Sequence, residues 1–108
     1  MRVKMIALTR SNPDQEDAYN EWHSNTHLPE VLQVPGMLSG QRFKLHYGMG
    51  SEAWDYLAIY EVETEDIAEL SRLLMERGQY MISSDAHDLS VCTMWFAEPI
   101  TSIVDKAC

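Results

Sequence analysis

The sequence predicts an α+β domain in which four strands and two main helices follow one another in the order β-α-β-β-α-β. Two kinds of periodicity predict it. Characteristic side chains recur at three- and four-residue steps in residues 17–30 and 65–77, whereas residues 42–47 and 54–62 alternate with a period of two. The length of 108 residues suits one domain spanning residues 1–108, and an apolar content of 45% is that of a folded chain.

The first half of the chain predicts a strand followed by two short helices. Residues 1–10 have apolar side chains on both faces of a strand, and residues 11–14 form a breaker cluster whose oxygens suit a helix N-terminus. The first helix is expected to run to about Asn25. Thr26 is then expected to cap a second helix over residues 27–33, because Pro29 is tolerated in a first turn. Such a break would turn His27 away from the direction of the first helix.

The second half predicts a hairpin, a helix and a last strand. Strands over residues 37–47 and 54–62 are joined by a short loop, 48–52, that contains two glycines, so an antiparallel hairpin is expected. Thr64 is expected to cap a helix over residues 65–77, with Gly78 ending it. A polar connection then leads to a strand over residues 89–97.

This order of elements is that of the ferredoxin-like split βαβ arrangement. It predicts a four-stranded antiparallel sheet with both main helices on one face. No further element is predicted that would cover the opposite face. A second copy of the same sheet is the simplest cover, so we expect a homodimer.

Charge and composition exclude several classes of function. The net charge of −9, with only eight Lys and Arg residues, would repel a phosphate backbone, so nucleic-acid binding is not expected. The apolar runs are too short to span a bilayer, and the N-terminus lacks the apolar core of a secretion signal, so neither membrane association nor export is expected. With only two cysteines, a disulfide framework is not expected, and a cytoplasmic setting is the default.

The most unusual chemistry is concentrated in residues 17–30. On a helix, their three- and four-residue spacing places aromatic rings, imidazoles and a carboxylate along one side; these side chains are Tyr19, Trp22, His23, His27 and Glu30. A hydrophobic core does not need this combination of groups. The stripe is therefore the first candidate for a functional site.

The motifs of this region also carry a resemblance to a known family. They are Tyr19-Asn-Glu-Trp-His, Thr26-His-Leu-Pro-Glu-Val and Val34-Pro-Gly-Met-Leu-Ser-Gly-Gln-Arg-Phe43. Together they resemble the EthD-like branch of the dimeric α+β barrel superfamily, with its aromatic-rich first helix, its His-x-Pro element and a Pro-Gly before the second strand. The resemblance implies a homodimer whose two sheets form one barrel, a pocket between sheet and helices in each subunit, and a recurrent histidine at His27. Its relatives include cofactor-free monooxygenases, polyketide cyclases, lactone isomerases and haem enzymes, so it does not choose a reaction.

Three residues are candidate catalytic groups. His27 suits a general acid or base, because the ordinary pKa of imidazole lies near neutrality, although a histidine that caps a helix or packs in the core is the alternative. His87 lies between carboxylates in the polar connection and is a candidate second proton carrier or a solvated loop residue. Tyr19 is a candidate hydrogen-bond donor to a carbonyl or enolate oxygen, or simply a core aromatic.

Further side chains are candidates for binding a substrate. Trp22 and His23 belong to the stripe, while Arg42, His46 and Tyr47 lie on the second predicted strand. A period of two points Arg42 and His46 one way and Tyr47 the other, and which of these faces lines the pocket stays open.

No cofactor or metal site is predicted. His23 and His27 have a helical metal-ligand spacing, but no third ligand falls nearby in sequence. The sequence has no glycine-rich phosphate cradle and no Cys-x-x-Cys pair, so a nucleotide cofactor is unsupported.

Three functions remain open from the sequence. The leading one is a cofactor-independent enzyme that uses acid/base chemistry to cyclise, isomerise or eliminate from a hydrophobic aromatic or polyketide-like molecule. The second is a monooxygenase, cofactor-free or haem-linked. The third is a dimeric protein that binds a small hydrophobic ligand without turnover.

Overall fold

A computed structural model describes residues 1–50, 54–90 and 92–107 of the chain. The strands are β1 (Arg2–Thr9), β2 (Met37–Lys44), β3 (Tyr56–Glu63) and β4 (Thr93–Ala97). The helices are α1 (Glu16–Trp22), a π-helical turn (His23–His27), α2 (Leu28–Val31) and α3 (Ile67–Gly78). None of the helices in these ranges is long and apolar enough to cross a membrane.

The four strands form one sheet in the order β2-β3-β1-β4, and every neighbouring pair is antiparallel. Met5 in β1 is a convenient reference, because it pairs with Tyr60 of β3 on one side and with Phe96 of β4 on the other. Tyr60 in turn faces Gly40 of β2. The predicted ferredoxin-like α+β fold and its hairpin are confirmed.

The hydrophobic core lies between the sheet and the helices. Alternation along β1 and β3 points every second side chain toward the helices. The residues of this cluster are Val3, Met5, Val31, Val34, Met37, Ala58, Tyr60, Val62, Leu70 and Leu74. At about 25 cal/mol per Å² of apolar area removed from water, this layer is the main source of folding free energy.

The opposite face of the sheet is apolar at its centre and charged at one end. Ile6 and Ile59 are half-buried there, and Trp95 of β4 is 66% exposed. Lys4 and Glu61 pair across the same face, with Nζ and Oε1 2.6 Å apart. No described element covers this face.

The predicted break at Thr26 is wrong. Backbone angles stay helical through both junctions, with φ −65° and ψ −45° at His23 and φ −57° and ψ −50° at Leu28. The chain instead widens into a π-helical turn. Pro29 has no amide hydrogen to give to the carbonyl four residues earlier, and a wider turn just before it carries the helix past that gap.

Both predicted caps are also replaced. Helix α1 begins only at Glu16, after Gln15, and Asn12 of the breaker cluster bonds to the connection near Asp85 instead of capping. Asp66, not Thr64, caps α3, since its carboxylate accepts the amide hydrogen of Glu69. Gly78 belongs to the last turn of α3, and Gln79 follows as its C-cap.

Two strands are shorter than predicted. β2 ends at Lys44, before His46 and Tyr47, and β4 begins only at Thr93. Lys44 pairs with Tyr56, the first residue of β3, and Thr93 pairs with Leu8, one residue before the end of β1. The predicted loop 48–52 lies partly outside the described residues, as does position 91 of the predicted last strand.

Candidate active site

Three imidazoles meet at one end of the sheet, on its helix side. His23 and His27 come from the π-helical turn, and their ring centroids are 5.0 Å apart. The ring of His87, from the connection after α3, lies 5.6 Å from the ring of Trp22, on which His27 stacks at 4.9 Å. Residues far apart in sequence thus form one aromatic cluster.

Hydrogen bonds to the start of the chain hold His87 in place. A bridge pairs it with Ser11, and the amide of Asp88 donates to the carbonyl of Arg10 at 3.0 Å. The Arg10 guanidinium also pairs with the Asp88 carboxylate at 3.0 Å, and the amide of Asn12 donates to the carbonyl of Ala86 at 2.7 Å. His87 is therefore placed by backbone bonds on both sides.

Side chains of the first helical segment hold another part of the connection after α3. Trp22 Nε1 donates to the carbonyl of Ile82 at 2.9 Å, and the carboxylate of Glu30 accepts the amide hydrogen of Ile82 at 3.2 Å. Two members of the stripe thus fasten residues near position 82 to the first helix. Glu30 acts here as a structural acceptor.

A pocket of about 190 Å³ opens beside the imidazoles. Apolar side chains dominate its wall, and a few polar groups interrupt it. The lining residues are Met5, Ala7, Thr9, His23, His27, Val31, Tyr60, Leu74, Met75, Gly78, Met81, His87, Cys92 and Met94. A mostly apolar wall with a few polar groups is typical of a small-molecule site.

Burial keeps the three imidazoles neutral. It is the largest cause that lowers the pKa of His23 to about 3, followed by the positive charge of Arg42. Burial also lowers the pKa of His27, with a further contribution from His87, and it lowers the pKa of His87 itself. All three pKa values lie below the ordinary 6.5, so these rings are uncharged bases at neutral pH.

Each ring also has an unpartnered nitrogen. Nδ1 of His23, Nδ1 of His27 and Nε2 of His87 are enclosed and make no hydrogen bond to a described residue. A polar atom without a partner costs free energy, and such atoms are commonly associated with function.

Tyr19 and Trp22 lie behind the histidines and do not line the pocket. Tyr19 is fully buried, and its hydroxyl is bonded to the hydroxyl of Thr9. Burial raises the pKa of Tyr19 above the ordinary 10.0. Tyr19 therefore has no access to the pocket in which it was predicted to contact a substrate. Thr9, its hydrogen-bond partner, does line the wall.

Arg42 approaches the cluster from β2, on the other side of Tyr19. Its guanidinium donates to Ser24 Oγ at 2.8 Å and to Asn20 Oδ1 at 2.9 Å. The guanidinium carbon also lies 5.5 Å from the ring centroid of Tyr19 and 5.4 Å from that of Tyr56. Arg42 therefore links β2 to the first helix and stands outside the pocket wall.

The other two predicted binding residues lie elsewhere. His46 and Tyr47 are exposed in the segment after β2, and Tyr47 has a left-handed backbone with φ 52°. Sequence alternation does not apply to them, because the strand has already ended. In the described parts of the chain, no three His, Cys, Asp or Glu side chains are grouped so as to hold a metal ion.

Sequence reasoning missed Tyr60, Thr9 and the methionines of the wall. Alternation along β1 and β3 places Thr9 and Tyr60 on the helix side, which was a usable signal. It did not separate the few side chains at the pocket from those in the core. That separation depends on the path of the connection after α3, which is fixed by contacts with residues 10–12.

Comparison with solved structures places this geometry in a known fold. An EthD family protein from Bacillus halodurans superimposes with a TM-score of 0.62 at 20% identity, covering 93% of this chain and 100% of that one. A proposed monooxygenase from Shewanella loihica gives 0.62 at 14% identity, covering 94% and 96%. HapK from Hahella chejuensis gives 0.58 at 13% identity, covering 99% and 100%.

The chain has the fold of these proteins. The resemblance to the EthD-like branch that the motifs of residues 19–43 indicated is thereby confirmed at the level of the fold. At these identities the likeness does not extend to a reaction. No protein-family model matches the chain, and no curated protein matches it in sequence.

Proposed function

We propose that this protein is a cofactor-independent enzyme that transfers protons to and from a small hydrophobic, aromatic or polyketide-like molecule. One observation carries the proposal: three neutral imidazoles, each with an unpartnered nitrogen, line a largely apolar pocket of about 190 Å³. An uncharged imidazole in an apolar setting is a base that needs no deprotonation before it acts.

His27 is the best placed of the three to act as the base. His23 is only 3% exposed and its pKa of about 3 makes it a weak proton acceptor. His27 is more accessible, and Trp22 holds its ring by stacking at 4.9 Å. His87 enters the pocket wall from the connection after α3, and it can relay the proton from His27 back to the substrate.

The chemistry follows from these positions. A C–H bond next to a carbonyl of the substrate breaks, the proton passes to the imidazole of His27, and the electron pair moves to the carbonyl oxygen. The resulting enolate then closes a ring, shifts a double bond or expels a leaving group, and the protonated His27 returns its proton to the product, directly or through His87. The reaction needs no external oxidant and no reductant.

A homodimer built on the open sheet face is part of the proposal. Supporting it are the half-buried Ile6 and Ile59 and the exposed Trp95, which form an apolar surface with paired charges at its end. A second copy of the same face would bury these side chains in a symmetric interface.

A simple carbon acid tests the proposal without knowledge of the natural substrate. 5-Nitrobenzisoxazole is small, planar and apolar; when a base removes its one acidic C–H proton, the ring N–O bond breaks and a coloured phenolate forms. His27→Gln should lower the rate with this probe by about 10²- to 10⁴-fold, the usual contribution of a general base.

The matched control is Asn25→Gln, an exposed position two residues earlier in the same helical turn. It should keep the rate of the unmodified protein. Equal rates in the His27→Gln variant and the unmodified protein would contradict the assignment of His27. Saturable binding of the probe with no phenolate formed would instead favour a protein that only binds its ligand.

A further inference from the structure

Three tyrosines lie on the helix side of the sheet, and one of them differs from the others. The hydroxyl of Tyr19 is bonded to Thr9, and the hydroxyl of Tyr56 accepts a hydrogen bond from Asn20 at 3.1 Å. Tyr60, in the middle of β3, is only 2% exposed, yet its hydroxyl makes no hydrogen bond to any described residue. It is the only one of the three tyrosines that lines the pocket.

Close packing fixes the ring of Tyr60. Gly40 faces it across the β2–β3 pair, and a Cβ atom added there would lie 2.8 Å from Tyr60 Cδ1 and 3.0 Å from Leu28 Cδ1. The ring therefore occupies the space that a side chain at position 40 would need. Its hydroxyl cannot swing far to find another partner.

For folding alone, the hydroxyl of Tyr60 contributes no bond to a described residue. A phenylalanine would fill the same space without leaving a polar group unpaired. Among the described residues, the enclosed side-chain polar atoms that lack partners are the three imidazole nitrogens, and the Tyr60 oxygen is not one of them. With no bond to a described residue, the Tyr60 oxygen keeps part of the residue's small exposure, and Tyr60 lines the pocket.

We infer that Tyr60 donates a hydrogen bond to an oxygen of the pocket's ligand, and that the site therefore selects small aromatic molecules carrying a carbonyl, enolate or phenol oxygen. This inference rests on the proposed function, since it names the substrate class for the same pocket. Burial raises the pKa of Tyr60 well above its ordinary value, so the hydroxyl keeps the proton that it donates.

Tyr60 then complements His27 in the reaction. When the C–H proton moves to imidazole, negative charge develops on the carbonyl oxygen, and the phenol hydrogen of Tyr60 stabilises it without being transferred. The hydrogen bond is stronger to this oxygen anion than to the neutral carbonyl, so it favours the transition state over the bound substrate. Tyr60 is thus assigned as a catalytic residue that the stripe on the first helix does not supply.

4-Nitrophenol is a suitable probe, because it is small and aromatic and its absorbance shows whether its oxygen is ionised. Tyr60→Phe should weaken binding of the phenolate by roughly ten- to hundred-fold, the range for a lost hydrogen bond to a charged group. It should also raise the apparent pKa of the bound probe. Spectrophotometric titration of probe against protein at several pH values measures both.

Tyr56→Phe is the matched control, four residues earlier on the same face of β3. It removes a hydroxyl that is bonded to Asn20 and lies outside the pocket wall, so probe binding should be unchanged while the Tm falls. Tyr60→Phe should show the reverse, with weaker binding and a Tm that is equal or higher, since no hydrogen bond within the described chain is lost.

The inference would be overturned by probe binding within twofold of the unmodified protein in Tyr60→Phe, or by no saturable binding of the probe to the unmodified protein. A loss of Tm in Tyr60→Phe as large as that in Tyr56→Phe would also overturn it, because the hydroxyl would then serve the fold. The test of Tyr60 can succeed or fail independently of the test of His27 as the base. If His27→Gln keeps its rate with the benzisoxazole while Tyr60→Phe loses phenolate binding, the proposed base fails and the Tyr60 contact stands.

Discussion

At the scale of single residues, His23 ties the chemistry of the pocket to the stability of the fold. Its pKa is about 3 in the folded protein and near 6.5 when unfolded, so between these values only the unfolded chain binds the proton. The contribution of His23 to the free energy of unfolding should therefore be fully present above pH 6.5. Below that pH it should fall by about 1.4 kcal/mol per pH unit. His23→Phe should make the slope between pH 6 and 5 shallower by that amount in urea titrations.

His46→Phe provides the control for this measurement, because His46 is exposed after β2. Its slope should match that of the unmodified protein, in which His27 and His87 contribute in the same direction as His23. Identical slopes in the two variants would show that His23 is not held neutral by the fold.

At the scale of elements, the π-helical turn is the feature that brings His23 and His27 together, and Arg42 ties it and α1 to β2. We expect Arg42→Met to lower the free energy of unfolding by about 1–2 kcal/mol, since bonds from a charged group to Asn20 and Ser24 are lost while the aliphatic stem is kept. Lys44→Met, two residues along the same face of β2, changes an exposed cation and should have little effect. Equal losses in the two variants, measured by urea unfolding, would contradict the tether.

The elements also show what the sequence could predict and what it could not. The spacing of Tyr19, Trp22, His23 and His27 predicted one aromatic side of a helix, because spacing is local and follows from helical geometry. Thr26 and Pro29 misled the same reasoning, because a π-helical turn carries the helix past Pro29 where a break was expected. The meeting of His87 with this cluster was likewise beyond local signals, because a bridge to Ser11, near the start of the chain, places it.

At the scale of the whole molecule, the open sheet face is the surface at which we propose that two copies join. If two copies join there, sedimentation equilibrium should give twice the 12.4 kDa of the chain, and Ile59→Lys, in the centre of that face, should halve the mass. Tyr80→Lys, at an exposed position after α3, should leave the mass unchanged. A mass of one chain for the unmodified protein at micromolar concentration would contradict the proposed dimer.

The order of strands and helices was predicted almost completely, whereas the pocket was predicted only in part. Alternation and helical spacing determine which elements form, and the number of elements restricts how they pack. The pocket depends on which polar groups remain without partners, such as the Tyr60 hydroxyl and the three imidazole nitrogens. That property belongs to the assembled molecule and has no local pattern in the sequence.

The central claim is that His27 acts as a neutral base within an apolar pocket, and the pH dependence of proton abstraction from 5-nitrobenzisoxazole tests it most directly. Because the pKa of His27 lies below 6.5, the unmodified protein should keep more than half of its plateau rate at pH 6.5 and lose activity only in more acidic solution. A rate at pH 6.5 below half of the plateau, or a profile unchanged by His27→Gln, would contradict the account.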